Sequence, residues 1–268
     1  MKLFRKTFFL ILGICVNKFS LRVLAIVAMC VACAQTYKLH SAPKITPKVV
    51  KSFPHSNTSF TQGLIVIDDI FYESSGLYGK SSLRKVDKYT GKLINSINLD
   101  PNYFGEGLTI IGDNLYQLTW KAGVLFIYSK DTLEKKSELY YEGEGWGLTF
   151  NGIDLILSDG SNVLKVLNPK TLELVRTIDV FDEDKSVFNL NELEYIDTEI
   201  WANVWQSNKI ACINPSTGRV TRWIDLSQID ESMGLDDVLN GIAWDKNNNK
   251  IYVTGKLWKR VYEISLDN

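Results

Sequence analysis

Apolar side chains along most of this chain recur at alternate positions in short runs, which predicts β-strands rather than helices. In the run at 220–226, for example, Val220, Ile224 and Leu226 fall on one face, whereas Thr221, Trp223 and Asp225 fall on the other. Stretches rich in Pro, Asp, Ser and Gly follow such runs at 88–91, 130–133, 169–172 and 215–218, and these residues favour hairpin turns. The pattern predicts a helix only at 227–239.

One short motif recurs five times and divides the chain into units of similar length. The copies are Gln62-Gly63-Leu64, Glu106-Gly107-Leu108, Trp146-Gly147-Leu148, Asn191-Glu192-Leu193 and Asn240-Gly241-Ile242. They lie 44, 40, 45 and 49 residues apart, a period that is typical of β-propeller blades. Each repeat also contains apolar runs for several short strands. The predicted fold is therefore an all-β, five-bladed β-propeller with four antiparallel strands per blade.

The fifth repeat ends at Leu266 without a fourth strand, whereas an unassigned apolar run lies before the first repeat at 48–53. We interpret this N-terminal run as the outer strand of the last blade, because such a closure removes an open sheet edge. The propeller domain is then expected at 47–268, after a linker at 35–46.

The first 34 residues differ from the rest in composition, since they contain five basic residues and no acidic residue. Two apolar runs, at 8–16 and 23–34, are separated by a polar and basic stretch at 17–22. A basic start, an apolar run and small residues predict an export signal, with cleavage after Ala34. Lipid attachment at Cys33 and an uncleaved signal anchor remain alternatives. The expected location is periplasmic or secreted, with a membrane contact only through such an anchor.

The charge changes when this leader is removed. The whole chain has 30 Lys and Arg against 31 Asp and Glu; without the five basic leader residues the balance is 25 against 31, a net charge of −6. An acidic surface without a basic stripe argues against binding of nucleic acid. The remaining 234 residues are expected to form one domain, and we expect a monomer.

Few residues are available for metal or nucleophilic chemistry. Cys212 is the only cysteine after residue 34, so no disulfide is predicted within the mature domain. The two histidines, His40 and His55, precede the first repeat, which argues against a zinc site and against Ser-His-Asp catalysis. A calcium site that uses Asp159, Glu192 and Glu194 stays open. No cofactor is predicted.

The first residue of the repeated motif changes its chemistry from blade to blade, which is typical of a binding site. These ring positions are Gln62, Glu106, Trp146, Asn191 and Asn240. A second set follows the aromatic residue of the second strand by four positions and comprises Trp120, Trp205 and Lys256. Both sets are predicted to meet at one mouth of the propeller, where the tryptophans would form the walls of an amphipathic pocket.

The motifs resemble those of the plant-type, or papaya-type, glutaminyl cyclases (glutamine cyclotransferases), a family with bacterial members. The resemblance covers roughly residues 47–266. It rests on Phe60-Thr61-Gln62-Gly63-Leu64, Phe104-Gly105-Glu106-Gly107-Leu108-Thr109, Glu144-Gly145-Trp146-Gly147-Leu148, Leu190-Asn191-Glu192-Leu193-Glu194 and Leu239-Asn240-Gly241-Ile242-Ala243. It implies a five-bladed propeller that converts the N-terminal glutamine of peptides and proteins to pyroglutamate and releases ammonia without a metal ion.

The resemblance also implies roles for individual positions. Glu106 corresponds to the catalytic carboxylate, Asn191 to the amide-binding asparagine and Lys256 to the lysine of the site. The remaining pocket positions are Gln62, Phe60, Phe104, Trp120, Trp146 and Trp205. Asn240 is added from its place in the ring.

The chemistry expected of these residues is acid–base catalysis. Glu106 would take a proton from the attacking α-amine and deliver one to the leaving ammonia, whereas Lys256 would either stabilise the oxyanion or keep Glu106 ionised. Two other functions remain open: a calcium-dependent propeller hydrolase such as a lactonase, and a propeller that binds peptides without catalysis.

Overall fold

The structure is a computed structural model that describes residues 41–229, 231, 234 and 237–266. The predicted leader at 1–34 lies outside the described residues. Ser41–Asn268 form one compact unit. All regular secondary structure in the described residues is β-strand, and none of these residues belongs to a helix long and apolar enough to cross a membrane.

Three consecutive four-stranded antiparallel sheets form blades 1 to 3. Blade 1 contains β3 (Thr61–Ile67), β4 (Ile70–Ser75), β5 (Ser82–Asp87) and β6 (Leu93–Asn98). Blade 2 contains β7 (Gly105–Ile111), β8 (Asn114–Thr119), β9 (Val124–Ser129) and β10 (Lys135–Tyr140). Blade 3 contains β11 (Leu148–Phe150), β12 (Leu155–Leu157), β13 (Val163–Leu167) and β14 (Leu174–Asp179).

Blades 4 and 5 each recruit a strand from the N-terminal part of the chain. Blade 4 contains β17 (Leu190–Ile196), β18 (Glu199–Val204), β19 (Lys209–Ile213) and β20 (Val220–Asp225), and β1 (Lys44–Ile45) pairs with β20 in parallel. Blade 5 contains β21 (Leu239–Asp245), β22 (Lys250–Gly255) and β23 (Arg260–Ser265), and β2 (Lys48–Pro54) pairs antiparallel with β23 as the fourth strand. The predicted closure of the last blade by N-terminal sequence is therefore confirmed.

The first strand of each blade contacts the first strands of both neighbouring blades, so the five sheets form a closed ring. The hydrophobic core is divided among five clusters, one at each interface between blades. Between blades 1 and 2, for example, Ile65, Tyr72 and Leu83 pack with Leu108 and Leu115. This arrangement follows from the sequence pattern, since strands with apolar residues on both faces can pack against two neighbouring sheets.

Three details differ from the sequence-based expectations. The expected linker at 35–46 includes β1 and the buried Ala42, whose N–H donates to Asp182 Oδ1 (2.8 Å), so its last residues belong to blade 4. The helix predicted at 227–239 is wrong for the described residues of that range, none of which is helical. A short hairpin of β15 (Phe181–Asp182) and β16 (Lys185–Ser186) was not predicted.

Candidate active site

A cavity of about 230 Å³ opens at one mouth of the propeller. The first, inner strand of each blade begins at this mouth, and the antiparallel second strand ends there. This arrangement brings the two predicted sets of residues together at the cavity, with the exception of Asn240. Nine residues line the cavity: Phe60, Gln62, Phe104, Glu106, Trp120, Trp146, Asn191, Trp205 and Lys256. All nine are among the site residues expected from the sequence.

Four inner strands carry a β-bulge at the ring position. The pairing register with the second strand shifts between Thr61 and Gly63, between Gly105 and Leu108, between Leu190 and Leu193, and between Leu239 and Ile242. A bulge leaves an extra residue unpaired and redirects its side chain. The bulges therefore account for the polar side chains of Gln62, Glu106, Asn191 and Asn240 at positions where a regular inner strand would present apolar residues to its neighbours.

The glycine after the ring residue lets adjacent inner strands approach closely. A Cβ atom at Gly63 would lie 2.5 Å from the backbone nitrogen of Leu108, and one at Gly107 would lie 2.5 Å from that of Leu148. Such distances are too short for any side chain, so the repeated glycine is required by packing at these two positions.

Glu106 is a buried carboxyl group, and only one of its two oxygens has a hydrogen-bond partner among the described residues. Its Oε1 accepts a hydrogen bond from Gln62 Nε2 (2.8 Å), whereas its Oε2 has no hydrogen-bond partner in the described part of the chain. Burial raises the pKa of Glu106 well above its ordinary value, although the charge of Lys256 and the hydrogen bond from Gln62 oppose this shift. The protonated form is therefore favoured over a wider pH range than in a solvent-exposed glutamate.

Asn240 does not line the cavity, in contrast to the expectation that it binds substrate. Its Nδ2 donates to the carbonyl oxygen of Thr61 (2.9 Å) and to Gln62 Oε1 (3.0 Å). Because Gln62 in turn donates to Glu106, Asn240 fixes the orientation of the Gln62 amide. The structure thus assigns Asn240 a positioning role behind the cavity.

Two further polar side chains, Asn191 and Lys256, line the cavity together with Glu106. Asn191 is buried, and its Oδ1 has no hydrogen-bond partner among the described residues. Lys256 is also buried, and its Nζ lies 4.7 Å from the centroid of the Phe60 ring, at a distance typical of a cation–π contact. The cavity therefore offers an unpartnered acceptor on Asn191 and on Glu106, together with the positive charge of Lys256.

The aromatic walls consist of two groups of rings in edge-to-face contact. Phe104 lies 6.1 Å from Phe60 and 5.5 Å from Trp120, and Trp146 lies 5.7 Å from Trp205 between ring centroids. These geometries are favourable for aromatic pairs. The walls shield the carboxyl group of Glu106 from water and account for its burial.

Glu144 joins the two groups of rings and was missed by the sequence analysis as a site residue. Its Oε2 accepts a hydrogen bond from Trp120 Nε1 (2.7 Å) and from Trp146 Nε1 (3.0 Å). Its negative charge also raises the pKa of Glu106, as a smaller contribution than burial. The Glu-Gly-Trp sequence places Glu144 near Trp146, but nothing in the sequence connects it with Trp120, which lies 24 residues earlier.

The residues considered for calcium do not form a metal site. Glu192 accepts hydrogen bonds from the backbone N–H of Leu64 (3.4 Å) and of Ile242 (2.9 Å), and Asp159 pairs with Lys165 (2.9 Å). Within the described ranges, no group of three or more His, Cys, Asp or Glu side chains could hold a metal ion.

Comparisons with known proteins identify relatives of this chain. A family model described as glutamine cyclotransferase matches residues 22–266. The chain is 44% identical over 227 residues to the glutaminyl-peptide cyclotransferase of Arabidopsis thaliana, covering 82% of this chain and 71% of that protein. The crystal structure of Myxococcus xanthus glutaminyl cyclase is similar, with a TM-score of 0.79 and 34% identity, covering 84% of this chain and 97% of that one.

Proposed function

The chain belongs to the glutamine cyclotransferase family, and we propose that it converts the N-terminal glutamine of peptides to pyroglutamate without a metal ion, with Glu106 as general acid and base. The observation that carries this proposal is the buried Glu106 carboxyl group, which has a raised pKa and an unpartnered Oε2 in an aromatic cavity. The name of the Arabidopsis relative supports peptides as the substrate class.

In the proposed reaction, the α-amine of the glutaminyl residue attacks the carbon of its own side-chain carboxamide. A bond forms between the amine nitrogen and this carbon, the bond to the carboxamide nitrogen breaks, and that nitrogen leaves as ammonia. Because both reacting groups belong to one residue, the enzyme accelerates the reaction chiefly by holding that residue in a folded, reactive conformation. The enclosing rings of Phe104, Trp120 and Trp205 suit this task, and they exclude water that would otherwise yield glutamate.

Glu106 moves the protons in this scheme. Its Oε2 accepts a proton from the attacking nitrogen, and the carboxyl group then delivers that proton to the departing carboxamide nitrogen, so Glu106 returns to its starting ionised form. A carboxyl group whose pKa is raised by burial suits both steps. General acid–base catalysis of this kind contributes roughly 10²–10⁴-fold to the rate.

Asn191 and Lys256 are proposed to stabilise the groups that change charge. The unpartnered Oδ1 of Asn191 accepts a hydrogen bond from the carboxamide NH₂, which orients the leaving group. The ammonium group of Lys256 lies on the cavity wall and stabilises the oxyanion that develops on the carboxamide oxygen.

The direct test is release of ammonia from a Gln-initiated dipeptide amide, with and without exhaustive chelation. We expect equal rates in both conditions, because the proposed steps use only side chains. Loss of activity that calcium restores would favour a metal-dependent propeller hydrolase. Binding of the peptide without release of ammonia would identify a non-catalytic peptide-binding propeller.

A further inference from the structure

Tyr78 stands at the rim of the cavity without belonging to its lining. Its ring centroid lies 5.4 Å from that of Phe104, with an interplanar angle of 74°, and 6.5 Å from that of Trp120. Phe104 and Trp120 line the cavity, so Tyr78 continues the same aromatic wall outwards. Its side chain nevertheless remains exposed, with a relative accessible surface of 53%.

Tyr78 lies in the loop between β4 and β5, and the backbone of this loop is strained. Leu77 has a φ of 88°, in the left-handed region that a leucine rarely adopts. Such a backbone persists only where its surroundings fix it, and here the carbonyl oxygen of Leu77 accepts hydrogen bonds from Lys80 N (2.9 Å) and Ser81 Oγ (2.8 Å). The Gly79 N–H also donates to the carbonyl oxygen of Pro101 (3.2 Å).

Gly76, at the base of this loop, is required by the same arrangement. A Cβ atom at Gly76 would lie 2.3 Å from the Phe104 ring, so any larger residue would displace this ring from its place in the cavity wall. The loop therefore maintains a strained backbone and a close crossing, yet Tyr78 gains little burial from them. This combination indicates that the exposed ring at the rim serves an interaction with something outside the chain.

The substrate itself identifies the partner of this surface. A cavity of about 230 Å³ accommodates the glutaminyl residue that reacts, and the remainder of a peptide must leave through the mouth. The second residue of the peptide then lies against the rim. On the side of blades 1 and 2, this rim is aromatic and continuous with the cavity wall.

We propose that Tyr78 and Trp120 form a subsite for the second residue of the peptide substrate, and that this subsite favours aromatic and large apolar side chains. The inference rests on the proposed function and deepens it by defining the class of peptide that reacts fastest. An aromatic side chain that packs edge-to-face on these rings gains affinity, whereas glycine at the same position gains none.

The test compares the dipeptide amides Gln-Phe-NH₂ and Gln-Gly-NH₂, which differ only in the second side chain. The unaltered enzyme should show a kcat/KM about threefold to tenfold higher for the phenylalanyl peptide, the range that one aromatic contact provides. In Tyr78→Ala, the ratio of the two kcat/KM values should fall towards one. Tyr78→Phe retains the ring and should retain the ratio.

Tyr140→Ala is the matched control, because Tyr140 is also an exposed tyrosine but lies on the outer strand β10. It should leave the ratio unchanged. Equal rates for the two peptides with the unaltered enzyme, or an unchanged ratio in Tyr78→Ala, would overturn the subsite. If the unaltered enzyme released no ammonia from either peptide, the proposed function would fail and the subsite with it.

Discussion

The pKa of the Glu106 carboxyl group is set by contributions of opposite sign. Burial and the negative charge of Glu144 raise its pKa, whereas the charge of Lys256 and the hydrogen bond from Gln62 lower it, and burial dominates. Because the ionised form is disfavoured inside the folded protein, this side chain costs stability at neutral pH. A group that destabilises the fold yet sits at the centre of a cavity is typical of an active site.

Replacement of Glu106 separates its effect on catalysis from its effect on stability. Glu106→Gln preserves the shape and can still accept the hydrogen bond from Gln62 Nε2, but it cannot carry a proton. We expect kcat to fall by roughly 10²-fold or more. The melting temperature at neutral pH should be unchanged or higher, because a buried ionisable group is removed. Near-normal turnover by the folded variant would refute the role of Glu106.

Glu144 offers a second test at the level of single residues. Glu144→Ala removes the acceptor for the indole N–H groups of Trp120 and Trp146, so the two groups of rings are no longer connected by a hydrogen-bonded side chain. We expect kcat/KM for glutaminyl peptides to fall about tenfold, chiefly through KM, because the substrate is held less firmly.

The isosteric variant Glu144→Gln isolates the effect of the Glu144 charge on the pKa of Glu106. It keeps an acceptor oxygen but removes the negative charge that raises the pKa of Glu106. The acidic limb of the kcat/KM profile should therefore move to lower pH. Glu142→Gln is the matched control, since Glu142 is exposed and lies two residues away. An identical profile in Glu144→Gln and the unaltered enzyme would exclude this electrostatic role.

At the level of strands, most of the site was predictable because the repeat fixes the register. The motif at 106–108 places Glu106 at the start of an inner strand, and the count from Tyr116 places Trp120 at the end of the next. Glu144 and Tyr78 could not be found this way. Their importance depends on contacts with Trp120 and Phe104, which lie in other parts of the chain, and no local pattern encodes such contacts.

Blade 4 shows a second feature that the repeated motif could not predict. Glu192 occupies the position that is glycine in the other four copies, and it carries a buried carboxyl group. Its oxygens accept backbone hydrogen bonds from Leu64 in blade 1 and Ile242 in blade 5, so it ties three inner strands together. From the sequence, Glu192 was a candidate only for calcium binding, because a departure from a repeat does not reveal which residues it contacts.

A buried ionic cluster connects blade 5 with blade 1. His55 Nε2 lies 2.9 Å from Glu73 Oε1, and His55 Nδ1 lies 2.7 Å from the carbonyl oxygen of Trp258. Both neighbours are acceptors, so both ring nitrogens must donate and His55 is positively charged. Burial lowers the pKa of His55, but the charge of Glu73 and the two hydrogen bonds outweigh it and raise the pKa above 6.5.

This cluster predicts a pH-dependent stability. Because the pKa of His55 is raised on folding, its contribution is fully present below pH 6.5 and is lost as the pH rises through the folded-state pKa. His55→Gln removes the nearer charged partner of the buried Glu73 and leaves the more distant Arg84, at 3.6 Å, so the cost is at most about 3–5 kcal/mol when the pair is ionised. The difference in melting temperature between this variant and the unaltered protein should be largest at mildly acidic pH and should shrink at alkaline pH.

The contribution of Glu73 to stability has the opposite pH dependence. Burial raises its pKa, but the charge of His55 and their hydrogen bond outweigh this and lower it to about 2. The contribution of Glu73 is thus present above pH 4.5 and is lost as the pH falls towards 2. A melting-temperature difference for His55→Gln that stayed constant from mildly acidic to alkaline pH would contradict the ionised pair.

On the scale of the whole molecule, the ring is closed by residues far apart in the chain. Lys48–Pro54 pair with Arg260–Ser265, and the Phe53 ring lies 5.8 Å from that of Tyr252 in the core between blades 5 and 1. The sequence predicted this pairing, because an unused apolar run and a missing strand matched. It did not predict β1, since two residues are too few for a recognisable pattern.

Two N-terminal strands therefore stabilise the propeller to different extents, and stepwise truncation should distinguish them. A chain that starts at Ser41 retains both strands and should melt like the mature protein. A chain that starts at Lys48 loses β1, the buried Ala42 and the ion pair between Lys44 and Asp225, but it retains the closed ring. A modest loss of stability is expected, because one short edge strand is removed.

Removal of five more residues should have a much larger effect. A chain that starts at Phe53 loses nearly all of β2, so β23 becomes an open edge, and Phe53, the β2 residue that packs in the core between blades 5 and 1, is left at the new N-terminus. The loss of several ladder hydrogen bonds and apolar contacts should lower the melting temperature by about 10 °C or more, or cause aggregation. Thermal melts of the three chains under one buffer condition measure the two steps separately. If the Phe53 chain melted like the Lys48 chain, β2 would contribute nothing to ring closure, and the inner strands alone would hold the five blades together.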